Sequence, residues 1–180
     1  MSEPSHPLVR SALWLGIAGL LPCFFLAALA GLAPQWRVVV HMPLVAYGAV
    51  ILAFVGALHW GIALMLSGAS DRQRSFLMAW SAVPVGLAWA AVLLPVGIDL
   101  ALLVAAFWVH FAFDYQLSRN QPLPYWYLPL RLVLTLGITA ALLAGLVFAT
   151  GQAPAGDAPF LTGTEAPTCP ASRPPEGVAI

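Results

Sequence analysis

The sequence predicts an all-α polytopic membrane bundle of about five transmembrane helices with a disordered C-terminal tail, and three observations carry that class. Hydrophobic residues make up 61% of the chain and charged residues only 8%, with a mean hydropathy of +0.90. These values lie well outside those of water-soluble domains. Five apolar runs, at residues 11–32, 43–66, 76–94, 100–117 and 126–149, are each long enough to cross a hydrocarbon core at the rise of an α-helix. From residue 150 to 180 the composition turns to Pro, Gly, Ala and Thr. Such a stretch buries too little apolar surface to offset the entropy of ordering it.

The elements follow in order. Residues 1–10 form a polar N-terminal segment and 11–149 a single transmembrane domain, since 180 residues leave no room for a separate soluble domain beside five spans. The first run carries no charge. Ala28 to Ala30 resembles a signal cleavage site, but the apolar stretch before it is longer than a signal core, so the span is read as retained. The second run is interrupted only by Tyr47, His59 and Trp60, and the third holds Trp80, Pro84 and Trp89. "GLAPQWRVVVHM" suits an interfacial turn whose Val38 to Val40 extend the second helix outward, "SGASDRQRS" a polar loop, "PVGID" a tight turn, and "SRNQPLPY" a proline-punctuated connection.

All seven basic residues are arginines, and the net charge is zero, which suggests neither a nucleic-acid partner nor a lipid-clamping polybasic patch. With five spans, Arg10, Arg72, Arg74 and Arg119 share one side, with Arg131 close to it, against Arg37 and Arg173 on the other. The bias places the N-terminus in the cytoplasm and the C-terminus in the periplasm. Cys23 falls in an apolar run and Cys169 in the tail, an arrangement that argues against a disulfide between them.

The informative polar groups gather at one depth. His59 stands seven residues before Leu66 and His110 seven before Leu117, each roughly 10 Å from the inner end of its run. Asp114 lies a turn nearer that end, and Arg131 enters the fifth run at a comparable height. An unpaired charge there is costly, so Asp114 and Arg131 are expected to pair and tie the fourth and fifth helices together. His110 and Asp114, four residues apart, also resemble a carboxylate orienting an imidazole in a proton relay. His59 and His110 at matched depth suit the axial positions of a haem. A metal site has less support, because no third soft or imidazole ligand stands at the height of the histidines. No catalytic nucleophile, metal-ligand set or phosphate loop emerges, so the chain is read as a non-enzyme without cofactor or metal.

Small residues recur every fourth position at Ala49, Ala53, Ala57 and Gly61, at Ala82, Gly86 and Ala90, and at Gly137, Ala141, Gly145 and Ala149. These ridges suit close helix packing. Most tryptophans fall near run ends, as an interfacial belt requires. Trp60, beside His59, is also placed to stack on a cation or cofactor.

"WLGIAGLLPCF" (14–24), "AYGAVILAFVGALHWGIAL" (46–64), "WSAVPVGLAWAAVLL" (80–94) and "WYLPLRLVLT" (126–135) together resemble the DUF3429 family, to which transmembrane protein 69 belongs. The likeness runs from about residue 10 to 149 and leaves out the tail. It implies a small five-helix protein of a bacterial or mitochondrial inner membrane, and it brings no activity, substrate or catalytic residue with it. His59, Trp60, Gly61, Asp114, Trp126, Tyr127 and Arg131 fall on motif positions that coincide with the polar layer. The N-terminus lacks the character of a transit peptide, which favours a bacterial membrane.

The leading expectation is a non-catalytic structural or assembly partner in the inner membrane, contacting lipid and other membrane proteins or copies of itself. The alternative is a small proton-coupled carrier working through His59, His110 and Asp114. A haem-binding electron carrier is the third.

Overall fold

The structure, a computed structural model, describes residues 6–66, 68–121 and 123–150. The expected disordered tail from 151 onward, and Cys169 with it, lies outside the described residues. Among the described residues five α-helices make up the bundle: α1 (His6–Leu32), α2 (Arg37–Met65), α3 (Asp71–Val92), α4 (Ile98–Asn120) and α5 (Tyr127–Thr150). There is no strand among the described residues, and all five helices are long and apolar enough to cross a membrane.

The helices outrun the apolar runs, and local chemistry explains where. Helix α2 starts at Arg37, after a 3-10 turn at Pro34–Trp36, rather than at Pro43. Pro43 sits inside the helix, where its missing N–H removes one backbone bond to the preceding turn. Arg37 reaches back and donates from Nε to the Ala30 carbonyl at 2.9 Å, satisfying an orphan acceptor at the end of α1. Helix α3 begins at Asp71, within the stretch read as loop, because Ser70 and Gln73 form a reciprocal capping box. Helix α4 is launched by Gly97 at φ 92°, a left-handed conformation that glycine adopts without penalty.

Helix α2 packs against each of the other four, while α1, α5, α4 and α3 surround it in that order. Its buried face carries Leu44, Gly48, Leu52, Val55, Gly56 and His59. A Cβ on Gly56 would stand 2.9 Å from Pro84 Cβ, so this glycine lets α3 approach. On α5 the small-residue ridge is a packing face: Ala141 is buried, and Cβ atoms on Gly137 and Gly145 would run into Leu20 of α1 and Leu44 of α2. The other two expected ridges differ. Ala57, Gly61, Ala82 and Gly86 are exposed, and α3 instead packs through Leu77, Ser81, Pro84, Ala88 and Ala91. Large apolar side chains such as Trp14, Phe25, Phe54, Trp89 and Val147 cover the outside, as suits a surface solvated by lipid rather than water.

Candidate functional site

The polar residues of α2, α4 and α5 converge on Asp114. Its side chain is fully buried, and its Oδ2 accepts a 2.6 Å bond from Nε of Arg131. Oδ1 accepts from the hydroxyl of Tyr127 at 3.1 Å. Nε2 of His59 also lies 3.0 Å from Oδ1, but off the ring N–H direction, so this is an electrostatic contact and not a well-formed hydrogen bond. One carboxylate on α4 thereby meets two side chains of α5 and one of α2.

The two histidines stand edge to face, their ring centres 4.7 Å apart at 80°. They are 0% and 2% exposed, and neither nitrogen of either ring has a hydrogen-bond partner of good geometry. Leaving such groups unpaired in an apolar interior is costly. Phe113, next to Asp114 on α4, closes one side: its ring lies 5.2 Å from that of His59 and stacks on Trp80 of α3 at 4.2 Å and 22°. Of the residues singled out in the sequence, His59, His110, Asp114 and Arg131 are brought together. Trp60 is not; it is 55% exposed on the outer face.

Two cavities flank this layer, and none of His59, His110 and Asp114 lines either. One, of about 520 Å³, lies between α1, α2 and α5 among Gly16, Leu20, Ile51 and Leu134, with Arg131 and Thr135 at its wall. The other, of about 410 Å³, opens among Gln73, Phe76, Gln116 and Asn120, with Phe113 in its lining.

Sequence reasoning missed a second, partly buried pair. His41 of α2 meets Asp99 of α4, Nε2 to Oδ2 at 2.6 Å, near the opposite ends of the same two helices. Asp99 also accepts from the Gly97 and Leu100 backbone N–H groups through Oδ1. The available signal was an aspartate two residues after a turn glycine, at the start of an apolar run.

The distance between the imidazoles bears on haem. With a metal–nitrogen bond of about 2 Å and roughly 1 Å more to the ring centre, axial imidazoles place their centres about 6 Å apart. The observed 4.7 Å leaves no room for a macrocycle between them.

A five-helix bundle with apolar surfaces and a charged layer sealed inside defines a multi-pass membrane protein. The family model described as "Protein of unknown function (DUF3429)" matches residues 8–147, and the chain belongs to that family. It is 32% identical over 138 residues to "Transmembrane protein 69" of Xenopus tropicalis, covering 77% of this chain and 54% of that protein. It is 30% identical over 128 residues to "Transmembrane protein 69" of Mus musculus, covering 71% and 51%. The chain thus spans about half the length of the curated relatives it matches. No solved structure matches it significantly.

Proposed function

We propose that this protein is a non-catalytic structural or assembly component of a bacterial inner membrane, with its N-terminus cytoplasmic and its C-terminus periplasmic. The observation that carries the reading is the buried Asp114 hub, which fixes α2, α4 and α5 relative to one another through Arg131, Tyr127 and His59. A layer so enclosed supports rigidity. A proton route needs water at the titrating groups, and neither flanking cavity is lined by His110 or Asp114. The hub also offers no serine or cysteine that an imidazole activates, which favours a non-enzyme. The orientation rests on the arginine distribution alone.

Gentle extraction from the native membrane tests the assembly reading: the chain should run in a complex larger than the monomer, with other membrane proteins or with itself. A wholly monomeric extract overturns it. Proteoliposomes test the carrier alternative, because a proton flux abolished by His110→Phe would replace the structural reading with transport.

A further inference from the structure

The paired imidazoles have a chemistry that the ion pair does not use. His59, His110 and Asp114 each offer a ligand atom, and these atoms lie within 4.8 Å of one another, all buried. The depth of the residues along their helices suggested only two imidazoles at one height; the packing of α2 on α4 adds Asp114 Oδ1, 3.0 Å from His59 Nε2. We propose that these three side chains form an intramembrane site for an imidazole-binding transition-metal ion, Zn²⁺ or Cu⁺.

The geometry favours this ligation over the axial arrangement. Two imidazoles bound side by side to one ion, at right or tetrahedral angles, hold their ring centres roughly 4.5 to 5 Å apart, which brackets the observed 4.7 Å. The donors, within 4.8 Å of one another, need to draw together by up to about 1.5 Å to reach metal-ligand spacing, chiefly by rotation of the two imidazoles, which no well-formed hydrogen bond holds. An ion would also satisfy imidazole nitrogens that make no well-formed hydrogen bond. Arg131 occupies Oδ2, leaving Oδ1 to the ion and acting as the outer group that orients the carboxylate.

Charge narrows the ion. Asp114 and Arg131 cancel, so Cu⁺ adds one charge to the layer and Zn²⁺ adds two. Softer ligands usually accompany Cu⁺, but a lower buried charge favours it here. Phe113 lines the 410 Å³ cavity among Gln73, Gln116 and Asn120 while its ring lies 5.2 Å from that of His59, so an ion entering from that cavity would have to pass this ring.

The inference does not rest on the assembly reading, because the Arg131 bond to Oδ2 that ties α4 to α5 stays in place whether or not an ion takes Oδ1. The test uses the full chain in lipid nanodiscs, stripped with chelator, offered Zn²⁺ or Cu⁺ in separate samples, desalted and analysed for metal. One ion per chain is expected for at least one of the two, with binding lost in His59→Phe and in His110→Phe, which keep an aromatic ring in place. Phe113→Ala should speed uptake without changing the stoichiometry. Uptake of neither ion by folded wild-type protein overturns the proposal, as does uptake that survives in both histidine variants. If those variants do not fold, X-ray absorption on the loaded wild-type chain decides: two imidazoles in the shell support the site, and a shell without them overturns it.

Discussion

His41 on α2 and Asp99 on α4 meet at 2.6 Å, and eighteen residues along α2 His59 meets Asp114 on the same α4 at 3.0 Å. Helices α2 and α4 run parallel in the bundle, so the two contacts tie the pair near both ends. Asp99 does two jobs at its end, since Oδ1 caps the first N–H groups of α4 while Oδ2 takes the histidine.

That division separates two substitutions. Asp99→Ala removes cap and pair together and is expected to cost about 1 to 2 kcal/mol. Asp99→Asn keeps an oxygen for the cap and an amide for His41, and should cost clearly less. Thermal unfolding in detergent compares them; equal losses would mean that the cap contributes nothing.

Asp114 and Arg131 should be strongly coupled. Removing either charge strands the other in an apolar interior, at about 3 to 5 kcal/mol for a buried pair. Asp114→Asn and Arg131→Gln are each expected to lower the melting temperature markedly, and the double variant to lose far less than the sum. Additive losses would show that each side chain is held by other partners.

The class, the number of helices and the Asp114–Arg131 pair were legible in the sequence for one reason: a hydrocarbon solvent permits few alternatives to apolar spans and paired charges. His41 and Asp99 were not, because one stood in a stretch read as a turn and the other in "PVGID", where water would solvate both. The helices extend past the apolar runs and bury them. Nor did periodicity choose the packing face of α2 or α3. In an alanine-rich helix small residues line several faces, and only the neighbours decide which face is used. The orphaned imidazoles needed the packing of α2 on α4, which no spacing within one helix encodes.

The glycines convert that last point into a measurement. A Cβ at Gly145 would stand 2.4 Å from Leu44 Cδ2, whereas at Gly86 nothing lies within 4 Å. Gly145→Leu is expected to destabilise by about 1 to 3 kcal/mol through overpacking. Gly86→Leu, on an open face, should be neutral or gain up to about 1 kcal/mol of helix propensity. Similar melting temperatures for the two would contradict the assignment of α5, and not the Gly86 face of α3, as the closely packed ridge.

Two aromatics beside the polar layer should also part company. Trp60 follows His59 in sequence, but the turn per residue of a helix carries it to the outer face, where it is 55% exposed. Trp60→Leu is therefore expected to change stability by no more than about 0.5 kcal/mol. Phe113 holds its ring against both Trp80 and His59, so Phe113→Leu should lose about 0.5 to 1.5 kcal/mol for the broken aromatic contacts, beyond any loss of buried area. Melting curves of the two variants in the same detergent check the contrast. A large loss at Trp60 with none at Phe113 would place the aromatic wall of the site on the lipid side of α2 instead of between α3 and α4.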